Sequence, residues 1–230
     1  MPTVIVTGAS RGLGRALARH LADRGWTVVA DARHAAALER GLGDAPGAVR
    51  VPGDITDPRH RAELVRAAVN TGGLDALVCN AGTLGPAPLP SLADLDLDQL
   101  AETLATNTVA QAGLMQQALS AIRPGGVVIA ITSDAAREPY PGWAAYGASK
   151  AALEQLANVL AAERPDLAVY RVDPGDMRTT MHAAAFPDED PFDVPTPDAS
   201  VPGLVRLLDG QLPSGRYEAQ SVPTAGGARQ

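Results

Sequence analysis

The sequence predicts an α/β protein, a doubly wound parallel sheet of about seven strands with helices on both faces. Three observations lead there. Apolar, β-rich runs alternate with Ala/Leu-rich helical patterns along most of the 230 residues. The strands read as continuous apolar runs, which marks a sheet covered on both sides. The first strand runs straight into a glycine-rich turn, "TGASRGLG", that opens a helix.

The elements follow in order. Thr3–Thr7 reads as a buried strand, and Leu13, Leu17 and Leu21 then recur at helical spacing until Gly25 closes the helix. Thr27–Ala32 and Ala48–Asp54 are the second and third strands. Asp57 followed by Pro58 is a helix start, the carboxylate as cap and the proline in the first turn, for a helix running to Asn70. Leu74–Gly82 is a strand that continues into a loop, Leu97–Ile122 a long helix, and Gly125–Ser133 the fifth strand. Ala144–Glu163 is a helix, Leu167–Gly175 a strand, Ser200–Asp209 a last helix and Arg216–Gln220 a final strand. The whole chain, 1–230, is expected to form one domain, with residues 176–200, rich in proline and acid, as a substrate lid and "AGGARQ" as a frayed tail.

Composition narrows the function. A net charge of -7 leaves no basic footprint for nucleic acid. No apolar stretch approaches the ~18 residues of a membrane span, and the first residues do not read as a secretion signal. One cysteine, Cys79, forms no intrachain disulfide, and a cytoplasmic location is expected. Aromatic residues are only 3% of the chain, so the core must be built mainly from Ala, Val and Leu. His20, His34, His60 and His182 show no metal-ligand spacing; most are expected at the surface, and no metal is expected.

Two stretches carry chemistry. In "TGASRGLG", Gly8, Gly12 and Gly14 let a backbone rich in N–H groups and a helix N-terminus approach a phosphate closely. In "YGASK", Tyr146 and Lys150 stand four residues apart on a helix, which puts a phenol and an ammonium on one face. Of the 19 basic residues, Lys150 is the one lysine. A neighbouring cation is expected to lower the tyrosine pKa and fit it for proton transfer near neutrality.

Taken in order, these motifs resemble the short-chain dehydrogenase/reductase family, the branch with short subunits, from Thr3 to about Thr179. The resemblance implies a Rossmann-type sheet and a hydride-transferring oxidoreductase of carbonyl or alcohol substrates. It implies that Asn107, Ser133, Tyr146 and Lys150 are the catalytic set; Ser133 lies thirteen residues before Tyr146, the family separation. Tyr146 would be the acid/base, Ser133 a donor to the substrate oxygen, and Lys150 a contact to the nicotinamide ribose. Asn107 would support a water that links Lys150 to solvent. The cofactor residues implied are Gly8, Ser10, Arg11, Gly12, Leu13 and Gly14 in the loop, Ala32 and Arg33 after the second strand, and Asp54 and Ile55 at the adenine. Asn80, Ala81 and Gly82 beside the adenosine ribose, Tyr146 and Lys150, and Pro174, Gly175, Met177 and Thr179 along the nicotinamide complete the set.

The second strand ends "ADARH", which sets acid against base at the ribose. Family members that use NAD carry an acid where this chain has Ala32, with Arg33 next. Asp31 stands one place early, turned to the other side by strand alternation. The reading therefore favours NADP(H) over NAD(H), with Arg33 and Arg11 toward the 2′-phosphate. The expected partners are a small carbonyl or alcohol substrate and copies of the same chain, as a homodimer or homotetramer; neither nucleic acid nor membrane is expected. The competing reading is a non-catalytic, dinucleotide-binding regulatory protein of the same fold.

Overall fold

A computed structural model describes residues 1–223; the tail expected to fray, from Ala225 onward, lies outside the described residues. Seven strands form one parallel sheet: β1 (Thr3–Val6), β2 (Thr27–Ala32), β3 (Ala48–Pro52), β4 (Leu74–Cys79), β5 (Ile122–Ile131), β6 (Ala168–Asp173) and β7 (Gly215–Glu218). Their spatial order is β3-β2-β1-β4-β5-β6-β7. The chain winds outward from β1 through β2 to β3, returns to β4 beside β1, and continues the other way. Every neighbouring pair is parallel, so all carboxyl ends meet at one edge. The order reverses between β1 and β4, where a crevice opens in such sheets.

Among the described residues, eight α-helices cover the faces: α1 (Gly12–Asp23), α2 (Ala35–Leu42), α3 (Pro58–Asn70), α4 (Leu97–Leu104), α5 (Ala110–Ala118), α6 (Ala144–Glu163), α7 (Thr180–Ala185) and α8 (Val201–Leu208). Alternation along the strands sorts the core into two halves. Val4, Val6, Val28 and Ala30 face Leu17, Leu21, Leu204 and Leu207 on one side. Ile5, Val29, Leu77 and Val128 face Leu64, Leu114, Leu153 and Leu160 on the other. Both faces of the central strands are therefore dry, which is why they read as unbroken apolar runs. Asp57 caps α3 as expected, its carboxylate accepting from the Arg59 N–H at 2.8 Å, with Pro58 in the first turn.

Three expectations need correction. The helix read as continuous from Leu97 to Ile122 is broken by a π-helical turn, Ala105–Val109, and ends at Ala118. Ile122 belongs to β5, which starts before Gly125 and pairs Leu74 with Ile122 ahead of a register shift. The helices α2 and α7 were not expected; both are short, eight and six residues, and carry too few apolar positions for the period to show.

Close backbone approaches fix how the helices lie. Gly203 on α8 is packed so tightly under the turn after β7 that a Cβ there would sit 1.8 Å from the Ala219 carbonyl oxygen. Backbone cannot yield as a side chain can. Gly203→Ala is therefore expected to cost on the order of 1–3 kcal/mol of unfolding free energy in urea titrations, while an alanine at exposed Gly25 would act only through its left-handed φ.

Candidate active site

The glycine loop is shaped by what packs against it. Gly8 and Gly12 have φ of 68° and 54°, the left-handed region. A Cβ on Gly14 would lie 2.5 Å from the Gly8 carbonyl oxygen and from Asn80 Nδ2, so α1 reaches the loop only because position 14 has no side chain. Space beside Gly12 is open, with Thr179 Cγ2 the nearest atom to a Cβ there, at 3.5 Å. Thr7, buried behind the loop, accepts the Asn80 and Ala81 N–H groups on its hydroxyl at 2.9 and 2.8 Å. Asn80 Nδ2 in turn donates to the Thr7 carbonyl at 2.7 Å.

A cavity of about 800 Å³ runs from this loop across the carboxyl ends of the strands. Of the cofactor residues expected from sequence, all but Gly14 and Gly175 line it; Gly14 lies against the Gly8 carbonyl and Gly175 beside Gln220. Tyr146 and Lys150 close one end, while Asn107 and Ser133 stand behind the lining. The donor set fits a dinucleotide. A phosphate would meet bare backbone at the loop, and Arg11 and Arg33 are exposed beside it.

Tyr146 and Lys150 share the inner face of α6, the Lys150 Nζ lying 5.5 Å from the centre of the Tyr146 ring. Gly147 brings that helix against the turn after β5, since a Cβ there would be 2.5 Å from the Ala135 carbonyl oxygen. This contact carries Ser133 toward Tyr146. Lys150 is buried, and Nζ donates to the Ile131 carbonyl at 2.9 Å. Burial brings its pKa down from the ordinary lysine value to about 8. Burial also drives the Tyr146 phenol above its ordinary value, reinforced by Asp173 and Asp134, while the Ser133 hydroxyl pulls the other way. The expectation that Lys150 lowers the Tyr146 pKa is thus corrected: desolvation dominates both groups and favours phenol over phenolate.

Asn107 lies in the middle of the π-helical turn and is fully buried. Its side chain spans the loop after β4, accepting from the Thr83 N–H at 2.8 Å and donating to the Thr83 carbonyl at 2.8 Å and to Ser149 Oγ at 2.9 Å. A Cβ on Gly82 would meet Asn107 Oδ1 at 3.1 Å and Lys150 Nζ at 3.6 Å, so all three crowd one corner. Ser133 donates to Asp134 Oδ1 at 2.8 Å, and the other oxygen of Asp134 accepts from the Tyr140 hydroxyl at 2.9 Å. The resemblance implies that the stretch Asp134–Tyr140 walls the substrate pocket; the bond that closes it on itself, Tyr140 to Asp134, is marked by no periodicity or spacing.

A model of the short chain dehydrogenase family matches residues 2–190. The chain belongs to this family. Among relatives of this short-chain dehydrogenase is the "NADPH-dependent aldehyde reductase-like protein, chloroplastic" of Arabidopsis thaliana, 32% identical over 95% of this chain and 83% of the relative. Among solved structures, an oxidoreductase from E. coli superposes with a TM-score of 0.86 at 30% identity, covering 95% of each chain. A protein of Escherichia coli CFT073 in complex with NADPH superposes with a TM-score of 0.85 at 30% identity, covering 95% of this chain and 96% of that one. The dehydrogenase is an oxidoreductase of Rossmann-like fold.

The burial of His60 and its pairing with Asp31 were missed by sequence reading. His60, one of four histidines of which most were expected at the surface, is 4% exposed, and its Nε2 is 2.9 Å from Asp31 Oδ2. Asp31 is 1% exposed and accepts the Gly8 N–H at 2.7 Å on its other oxygen. Cys79, read as packing, is buried in β4, with its thiol pushed up to about 12 by desolvation.

The depressed Lys150 has a consequence for stability. Its pKa is about 8 in the fold and the ordinary 10.5 when unfolded, so between these values the unfolded chain binds more protons. The cost of the buried charge is full below pH 8 and is relieved as pH rises through that window. In urea titrations without cofactor, wild type is expected to gain up to roughly 3 kcal/mol relative to Lys150→Met between pH 7 and pH 10. A constant difference would mean that Lys150 is not desolvated.

Proposed function

We propose that this protein is an NADPH-dependent reductase of ketones or aldehydes in which Tyr146 donates the proton. The observation that carries the reading is the single cavity joining the glycine loop to Tyr146 and Lys150. One end offers backbone N–H groups and arginines to phosphates, and the other offers a phenol and an ammonium to a reacting oxygen.

The bound nicotinamide would supply the hydride. The chain's own groups handle the proton. A phenol held above its ordinary pKa stays protonated at neutral pH, which suits donation to a carbonyl oxygen. Lys150, with a pKa near 8, can release and regain a proton in the working range, and so can restore the phenol. Ser133, whose hydroxyl donates to Asp134, would exchange that bond for one to the substrate and add a second donor to the oxygen on which charge develops. Asn107 acts by holding the Thr83 loop and Ser149 beside Lys150.

The substrate wall supports a neutral, apolar compound of modest size. Leu84, Ala135, Leu89, Trp143, Met181 and Ala185 pack around Tyr146. Trp143 meets Tyr146 edge to face at 5.6 Å and Phe186 of the 176–200 lid at 5.6 Å. In a chain with only 2 Trp, 4 Tyr and 2 Phe, this concentration at one wall favours a substrate with a flat or bulky apolar group. The name of the Arabidopsis relative is in keeping with an aldehyde.

For the cofactor, Arg33 is exposed just past β2; the hydrogen bonds from Thr56 hold the Asp54 carboxyl below its ordinary pKa, and the Arg33 charge adds a smaller pull in the same direction. Asp31 is occupied by Gly8 and His60 and faces away from Ala32. This arrangement supports NADP(H), as does the NADPH bound to the E. coli neighbour.

Tyr146→Phe is expected to bind NADPH as wild type does and to lose turnover by at least ~10²-fold in a panel of ketones and aldehydes. Undiminished turnover would assign the proton to another group. Arg33→Ala is expected to weaken NADPH binding by about 1.5–3 kcal/mol and to leave NADH nearly untouched in fluorescence titrations. Equal loss for both would make Arg33 structural.

A further inference from the structure

Asp31 and His60 form a buried pair that the proposed reaction does not use. Asp31 stands on β2 with one carboxylate oxygen 2.7 Å from the Gly8 N–H and the other 2.9 Å from His60 Nε2. His60 sits in the first turn of α3, and its Nδ1 is buried without a hydrogen-bond partner. Its ring occupies the space where Gly53 would carry a side chain: a Cβ there would be 2.2 Å from Nδ1. Gly53, Asp31 and Gly8 all line the cavity, so the pair lies directly behind the surface that the dinucleotide would touch.

The position of Asp31 is costly unless it is compensated. A carboxylate behind a phosphate-binding loop repels the phosphates, and burial weakens the screening. A neutral His60 leaves the pair with one negative charge; a protonated His60 makes it neutral. Charged groups facing His60 are Asp31 from β2 and exposed Asp54 from the loop after β3, with Arg33 acting on Asp54 as well. On its own helix, Arg61 turns its guanidinium to the Ile55 and Thr56 carbonyls, and Arg59 is exposed. The positive end of α3 also lies at this turn.

We propose that Asp31 and His60 are positioning residues for the dinucleotide, holding the glycine loop through Gly8 and drawing a proton from solvent onto His60 when the phosphates bind. The inference rests on the dinucleotide-binding reading above. It gives Asp31 a function that differs from ribose recognition: the carboxylate tethers the loop, and the imidazole cancels its charge when anions arrive.

The test is the pH dependence of NADP⁺ affinity, measured by protein fluorescence on the full chain. Wild-type affinity is expected to rise between pH 8 and pH 6 by about three- to ten-fold more than that of His60→Gln, which keeps a donor but cannot titrate. The 2′-phosphate of the ligand titrates alike in both, so the difference isolates the protein. His34 also lines the cavity, and His34→Gln should keep the wild-type slope. Asp31→Asn, near in size and without the charge, should lose the extra slope, and it decides the matter should His60→Gln fail to fold. Parallel profiles for wild type and either the His60 or the Asp31 variant, or a slope lost only in His34→Gln, would overturn the inference alone. Wild-type protein that binds no NADP⁺ would sink the dinucleotide reading and the inference with it.

Discussion

The site depends on a small hydrogen-bonded knot at Thr7 and Asn80. Here β1 and β4, neighbours in the sheet, send their chains in different directions. Thr7 is fully buried; its hydroxyl donates to the Val78 carbonyl at 3.3 Å and accepts two N–H groups from the chain leaving β4. A buried hydroxyl with all its bonding capacity used rigidifies its surroundings, because releasing any partner strands a polar group in a dry place. From the knot the constraint spreads both ways. Asn80 packs against Gly14 and sets α1 on the loop, and the residues after it reach Asn107 through Thr83. The glycine-loop end and the Tyr146–Lys150 end of the cavity are thereby set by one piece of backbone.

A second network steadies the other side of the reacting centre. Arg216 on β7 bonds Glu154 of α6 at 3.0 Å, Asp173 of β6 at 3.0 Å and the Ser133 carbonyl at 3.3 Å. Glu154 also accepts from Thr132 at 2.8 Å. Glu154 lies one turn beyond Lys150, on the same face as Tyr146. The network therefore ties α6 to the strand end that bears Ser133, from behind. Its charges are largely removed from water, so its contribution to stability is small, and its value lies in fixing one geometry. Asp173 keeps some of the character of an unpaired buried acid, since desolvation raises its pKa despite Arg216.

Much of this was legible in the sequence because the constraints are local. Gly8, Gly12, the Asp57 cap and the Tyr146–Lys150 spacing each encode their geometry within a few residues, and the parallel sheet follows from the alternation of elements. What escaped was non-local. His60 is buried because Asp31, 29 residues away, needs a partner, and neither the motif nor the period around His60 shows it. Asp134 matters because Tyr140 folds back on it across a turn. The π-helical turn at Asn107 was hidden for another reason: the apolar pattern of the two flanking helices carries through it, and the pattern has no term for one widened turn. Short helices such as α7 fall below the length at which periodicity speaks at all.

The single lysine among 19 basic residues is explained by the same separation of local and non-local causes. Spacing put it near Tyr146, but burial decides its chemistry. At position 150 the cation is 3% exposed, wedged under the Ile131 carbonyl and beside Gly82. An arginine there would be larger than the corner at Gly82 allows and would stay charged at any working pH. An ammonium, unlike a guanidinium, can be pulled down to about 8 by desolvation, as the proposed proton transfer requires. The other basic positions named above are exposed or bonded to carboxylates and carbonyls, tasks that suit a fixed, forked charge. The one lysine of the chain thus stands where burial draws a cation's pKa down, a shift that arginine's guanidinium does not follow.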